Sequence, residues 1–323
     1  TVTITDDDSA NFTITQSNGS TTVTESTSST DTFTVVLESE PTGSVVLNIV
    51  ASDNTEATVA PSSLTFTSSN WSTTQTVTVR GVSDSVDDGD QNSTITLSVD
   101  ISNTLDPAYD ALDNETVTVT TSDGDSAGFT LSKTTAVVTE AGSADSFTVV
   151  LTSKPTGDVV FSLSDNDSDD SEVNITYSPT PLTFSSANWN TAQTVTVQGL
   201  DDSMDDGDIS SLITLAINQS NTADSIYDAL DNQTVTVSTS DNDTAGISIS
   251  CCSTDSVDGS SKTNAVSLAE TGGSTSFTVV LQTQPSSSIV LDITPMQTTE
   301  FSTASDNLTF TTGNWNTPQT VTI

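Results

Sequence analysis

The chain has 323 residues, only 32% of them hydrophobic and 5% aromatic, and 44 Asp and Glu against four Lys and Arg give a formal net charge of −40. Four cations cannot form a basic patch, which excludes nucleic acid and anionic membrane surfaces as natural partners. With no His in the chain, a Ser-His-Asp set and a histidine base are excluded, and no glycine-rich phosphate loop or membrane-length apolar run is present.

Residues 1–9 read as the last strand of a preceding repeat, closed by Asp6-Asp7-Asp8. Ser9-Ala10-Asn11-Phe12 opens the next unit and returns as Ser126-Ala127-Gly128-Phe129 and as Thr244-Ala245-Gly246-Ile247. A second landmark, Asn70-Trp71-Ser72-Thr73-Thr74-Gln75-Thr76-Val77-Thr78-Val79, recurs around Trp189 and Trp315, the tryptophans lying 118 and then 126 residues apart. A period of that length is one whole domain. The expected units are therefore 10–126, 127–244 and 245–323, the last lacking its final strands. Beginning on a strand pattern without Met and stopping inside the third motif, the chain is expected to be a segment of a longer protein.

Within the second unit the strand signals run in short order. They cover Gly128 to Val138, Ser146 to Thr152, Asp158 to Leu163, Asn174 to Phe184 with a break near Pro179 and Pro181, Thr194 to Gly199, Leu212 to Asn218, and Gln233 to Thr239. Alternating Val and Thr is the pattern of a one-sided strand, and no helical period competes with it. The expected fold is all-β: tandem immunoglobulin-like antiparallel β-sandwiches of about seven strands each, in an extended array with almost no linker. The three Trp are expected to pack at the core or sandwich edge, with carbohydrate platforms as the other reading. Tyr109 and Tyr227 are expected to anchor a long hairpin. The third unit carries an insertion at about 250–264 with both cysteines, Cys251 and Cys252. An interchain bond, a vicinal bridge and free thiols are all open for that pair.

Carboxylates fall at matching points of each unit. A lone Glu ends the first strand (Glu25, Glu140, Glu270). Another lies ten residues before the Phe of the Leu-Thr-Phe strand (Glu56, Glu300), where the second unit has Asn174, with Glu172 two residues earlier. The loop after the Trp-motif strand holds Asp84, Asp87, Asp88 and Asp90, and then Asp201, Asp202, Asp205, Asp206 and Asp208. An Asp-X-Asp closes each unit at Asp123 and Asp125 and at Asp241 and Asp243. Converging carboxylates repel unless a hard cation intervenes, and Ca²⁺, with six to eight oxygens in loose geometry, suits Asp-rich loops. Ordinary solvated turns are the competing reading.

Thr-Glu-Ala-Gly at 139–142, Asp-Asp-X-X-Asp-Asp-Gly-Asp at 201–208 and Asp-Asn-Asp-Thr-Ala-Gly at 241–246 together resemble the Calx-β domain, which occurs in long tandem arrays in bacterial surface adhesins. The resemblance implies a seven-stranded sandwich binding Ca²⁺ at one pole, beside the following domain. It makes ligand candidates of Glu25, Glu56, Asp84, Asp87, Asp88, Asp123 and Asp125 in the first unit. In the second they are Glu140, Asp201, Asp202, Asp205, Asp206, Asp241 and Asp243, and in the third Glu270 and Glu300. If the two acidic loops align one residue apart, Ser83 stands where the second unit has Asp202.

The expected function is that of a non-enzymatic stalk segment of a large extracellular or cell-surface protein, adhesin-like and rigidified by Ca²⁺ at domain poles. Its expected partners are neighbouring repeats of its own chain. An extracellular filament, in which copies of the chain pack side by side, is the alternative, and a carbohydrate-binding module is a third reading.

Overall fold

Threonine and valine alternate through the Trp-motif strand, and the burial follows them: Val77 and Val79 are buried while Thr76 and Arg80 face solvent. The same two-residue period runs through every long strand, so each sheet has one apolar face and must cover it with a second sheet. The computed structural model describes residues 2, 8–166, 172–251, 266, 268, 272–296, 301–304 and 307–323. Glu270, Glu300 and Cys252 lie outside the described residues, as does most of the insertion.

In the first sandwich the strands are β1 (Phe12–Gln16), β2 (Thr21–Thr24), β3 (Thr30–Leu37), β4 (Val45–Ala51), β5 (Ala57–Ala60), β6 (Ser63–Phe66), β7 (Gln75–Gly81), β8 (Gln91–Val99) and β9 (Glu115–Ser122). One sheet has the order β1-β3-β7-β5 and the other β2-β9-β8-β4-β6. The second sandwich repeats this with β10 (Phe129–Leu131), β11 (Thr135–Thr139), β12 (Ala144–Leu151), β13 (Val159–Ser164), β14 (Val173–Tyr177), β15 (Leu182–Phe184), β16 (Gln193–Gly199), β17 (Ile209–Ile217) and β18 (Gln233–Ser240). Its sheets are β10-β12-β16-β14 and β11-β18-β17-β13-β15. Further on lie β19 (Ile247–Cys251), β20 (Ser276–Leu281), β21 (Ile289–Asp292), β22 (Asn307–Phe310) and β23 (Gln319–Thr322), arranged as β19-β20-β23 and β21-β22.

The structure is all-β, with two differences from the sequence-based expectation. Among the described residues each complete sandwich has nine strands rather than about seven, because two expected strands are each broken and their halves enter opposite sheets. The first breaks between β10 and β11, the second at the cis prolines Pro179 and Pro181 between β14 and β15. The sandwiches are also not wholly antiparallel: β2 pairs parallel with β9, and β11 with β18.

The cores are alike. Phe33, Leu47, Phe66, Val79, Ile95 and Val119 fill the first, and Phe147, Phe161, Phe184, Val197, Ile213 and Val237 the second. Each such side chain contributes roughly 1.5–3 kcal/mol of burial. Phe129, Phe161 and Phe184 stack edge to face at centroid distances of 4.9 and 5.8 Å.

The Trp motif is a corner between the sheets. Asn70 Oδ1 accepts the Thr67 N–H at 2.6 Å, Gln75 Nε2 donates to Thr65 O at 2.9 Å, and the Trp71 carbonyl accepts the Leu37 N–H at 3.1 Å. The bonds recur at Asn188, Gln193 and Trp189, and at Asn314, Gln319 and Trp315. All three indoles are half-buried against their cores, which favours packing over a sugar platform. The hydroxyls of buried Tyr109 and Tyr227 donate to the carbonyls of Ser39 and Ser153, each at 2.7 Å.

Candidate metal centre

The parallel pair builds the site. In a parallel ladder two strands end at the same pole, whereas antiparallel neighbours end at opposite poles. Thr24 pairs with Ser122, so Glu25 and Asp123-Gly124-Asp125, next in the chain after each strand, leave the sheet side by side. The Glu25 N–H donates to Ser122 O at 3.0 Å, and the Gly124 N–H donates to Glu25 Oε2 at 3.3 Å. In the second sandwich the Glu140 N–H reaches Ser240 O at 3.1 Å and the Asn242 N–H reaches Glu140 Oε2 at 3.2 Å.

Two more elements arrive at this pole. β7 ends on Gly81, packed so closely on β2 that a Cβ there would stand 2.0 Å from Thr24 O; at Gly199 it would stand 2.2 Å from Thr139 O. Only glycine lets the acidic loop leave beside the lone Glu. β5 pairs with β7 with Ala57 opposite Gly81, and the Val82 N–H donates to Glu56 O at 2.9 Å, which turns Glu56 toward the same place. Val173 stands opposite Gly199, and the Leu200 N–H donates to Glu172 O at 3.0 Å. Glu172, not Asn174, is therefore the counterpart of Glu56. Counting back from Leu-Thr-Phe misplaced it, because the Ser178–Pro181 stretch adds two residues.

The acidic loop closes over the Asp-X-Asp turn. Gly89 and Gly207, at φ 73° and 80°, donate their N–H groups to Asp123 Oδ2 and Asp241 Oδ2, each at 2.7 Å. Asp90 Oδ1 accepts the Asp123 N–H at 3.0 Å, as Asp208 Oδ1 accepts that of Asp241 at 3.2 Å. Asp84 and Asp202 each accept the N–H two residues on, at 2.7 Å, so the loops align without a shift and the counterpart of Ser83 is Asp201. Asp201 Oδ1 accepts a hydrogen bond from Asn242 Nδ2 at 3.0 Å.

Carboxylate oxygens of Glu25, Asp123 and Asp125 lie within 4.8 Å of one another, and so do those of Glu25, Glu56 and Asp84. In the second sandwich the groups are Glu140 with Asp241 and Asp243, and Glu140 with Glu172 and Asp206. Asp87, Asp88, Asp201, Asp202 and Asp205 belong to none of these groups, although all sit in the same loops. Asp87 Oδ2 and Asp205 Oδ2 accept the N–H groups of Ala127 and Ala245, each at 2.6 Å, while the Asp87 carboxyl also bonds that of Asp123.

The electrostatics show a surplus of negative charge. Burial, reinforced by Asp123, Asp84 and Asp88, raises the Glu25 pKa to about 7 despite the Gly124 N–H. Burial, with Asp241, Asp202 and Glu172, does the same to Glu140, again to about 7. Glu56, Asp125, Asp206 and Asp243 are raised by burial and by like-charged neighbours. Asp123 and Asp241 are lowered: for Asp123 burial opposes the charge but several backbone N–H groups outweigh it, and for Asp241 the N–H groups of Asp243 and Gly207 dominate. Glu56 is 7% exposed, and its buried Oε2 has no hydrogen-bond partner among the described residues. Leaving a buried carboxylate oxygen unsatisfied is costly unless a cation fills the place. An all-carboxylate donor set with no His or thiol fits a hard divalent ion such as Ca²⁺.

No protein-family model matches the chain, and no curated protein does. Among solved structures, the chain is similar to domains 4 and 5 of the S-layer protein SbsC at 12% identity and TM-score 0.29, covering 60% of this chain and 76% of that one. Against a longer structure of the same S-layer protein the identity is 15% and the TM-score 0.31, covering 72% of this chain and 28% of that one. It is also similar to CBD12 from CALX1.2 at 14% identity and TM-score 0.27, covering 63% of this chain and 79% of that one. At TM-scores of this size none of the three bears on the metal centre, which rests on the carboxylates alone.

Proposed function

We propose that this chain is a load-bearing segment of an extracellular surface protein, adhesin-like, in which Ca²⁺ at the acidic pole of each sandwich holds the pole loops together. The role is mechanical, not catalytic. The observation that carries the reading is the buried Oε2 of Glu56, without a partner among the described residues, beside Glu25 and Asp84, in a pole whose counterpart in the second sandwich gathers Glu140, Glu172 and Asp206. Glu25 and Glu140 would each be shared between two oxygen groups, with Asp123 and Asp125, or Asp241 and Asp243, completing one group and Glu56 or Glu172 the other. Bound calcium would supply charge neutralisation and nothing more. The chain's own residues orient the oxygens, through Gly81 and Gly199 beneath the loop and through Gly89 and Gly207 above it.

Affinity on the order of 10⁻⁴–10⁻³ M suits an extracellular module. Calcium at a hundredfold excess over its dissociation constant then stabilises each complete sandwich by about 2.7 kcal/mol. Thermal unfolding with calcium and with EGTA tests this. The expected result is a midpoint lower in EGTA by on the order of 10 °C. Equal midpoints would remove calcium from the account.

A further inference from the structure

Two sandwich junctions lie among the described residues, and at each the acidic loop makes the same pair of contacts into the next unit. The Lys154 N–H donates to Ser85 O at 2.6 Å, and the Gln284 N–H donates to Ser203 O at 2.6 Å. The Ala127 N–H donates to Asp87 Oδ2, and the Ala245 N–H to Asp205 Oδ2, both at 2.6 Å. Ser85 and Ser203 occupy the same loop position. Lys154 and Gln284 each precede the proline of the loop between the second and third long strands of the next unit. Their side chains differ in charge, so the contact is one of main-chain atoms, held in place by the adjoining proline (Pro155, Pro285). Met204, Asp205 and Pro285 line one cleft at the second junction.

We infer that each acidic loop is a two-sided element whose outer side, Ser85 with Asp87 and Ser203 with Asp205, is a latch that seats the next sandwich. Oδ2 of Asp87 and of Asp205 acts on the junction backbone, while the same carboxyls still face Asp125 and Asp243 at the inner side of the loop. The latch reads backbone and so accepts any residue before the proline, as a repeat array of varied sequence requires. It stands without calcium. The further consequence, that an ion bound by the inner carboxylates stiffens the junction through this loop, rests on the calcium reading.

Hydrogen exchange on the full chain tests the latch, with Asp87→Ala and Asp205→Ala each compared with the unaltered protein in calcium and in EGTA. In Asp87→Ala the amides of Ala127 and Lys154 are expected to exchange roughly tenfold faster, while Ala245 and Gln284 keep their protection. Asp205→Ala is expected to give the reciprocal pattern. The core amides of β7 and β16 report whether either variant has simply unfolded. Unchanged exchange at Ala127 and Lys154 in Asp87→Ala overturns the latch. Protection lost in the variants but indifferent to EGTA in the unaltered protein supports the latch and counts against calcium, so the two ideas fail separately.

Discussion

The two ends of a sandwich treat buried acid in opposite ways. At the end bearing the Pro155 loop, Asp224 is 3% exposed, yet its oxygens accept from Thr156 N–H at 2.7 Å, Thr156 Oγ1 at 2.9 Å, Ile226 N–H at 2.9 Å and Tyr227 N–H at 3.3 Å. Burial works against its charge, but those donors outweigh it and lower its pKa. At the other end Glu140 is 1% exposed, and its pKa is raised to about 7 by burial and by Asp241, Asp202 and Glu172. Both are buried carboxylates in a chain almost without cations. The difference lies in donors: one end supplies enough N–H and O–H groups and needs no ion, and the other leaves oxygens facing oxygens. Acid content alone does not mark a cation site; unmet acceptor demand does.

The sharpest way to break this contrast is Asp224→Ala. It takes the acceptor from the N–H groups of Thr156, Ile226 and buried Tyr227, and is expected to cost about 3 kcal/mol, equally with calcium and with EGTA. Denaturant unfolding of the second sandwich in both conditions checks it, and a calcium-dependent cost would blur the two ends into one. The pH dependence has a definite sign. Because the folded pKa of Asp224 is lowered, its contribution is present above the unfolded carboxylate value and is lost as pH falls through the folded one. Unfolding scans from neutral pH into the acid range are expected to show that loss in the unaltered protein and not in Asp224→Ala.

Gly199→Ala acts on the other end and is expected to be somewhat milder, about 2 kcal/mol. The added methyl meets Thr139 O at 2.2 Å, so β11 and β16 must part and carry Glu140 away from the loop. Unlike Asp224→Ala, this change is expected to weaken calcium binding as well as stability. Calcium titration by calorimetry reads the difference, and an affinity equal to that of the unaltered protein would show that the close approach serves packing alone.

Much of this was legible in the chain itself. Val-Thr alternation announces one-sided strands, and the repeated acids mark the pole that Glu25, Glu140 and the Asp-X-Asp pairs occupy. The parallel pairing of β2 with β9 was not legible, since a two-residue period says which face is buried and nothing about which strand lies alongside or in which direction. Yet that direction is what brings Glu25 to Asp123. Glu172 is visible two residues from the expected position but falls outside the candidates, because spacing counts residues while pairing counts register. Gly199 opposite Val173 fixes Glu172 whatever the length of the proline stretch behind it. Composition gives no sign of the second task of Asp87 and Asp205, because it cannot show that one oxygen of each accepts the Ala127 or Ala245 N–H.

The smallest expected effect discriminates best. Glu56→Gln keeps the shape of the side chain, replaces a buried charge by an amide and places two donors among the carboxylates of Glu25, Asp84 and Asp88. In EGTA it removes repulsion and gives those oxygens a partner, so the first sandwich is expected to gain about 1 kcal/mol. In saturating calcium it removes a charged ligand, so the same substitution is expected to cost about as much. A solvated acidic turn predicts no such reversal, because water serves Glu and Gln alike. Unfolding of the Glu56→Gln chain in the two conditions therefore gives either a change of sign, which only a cation at this pole produces, or a common sign, which returns the cluster to ordinary surface acid.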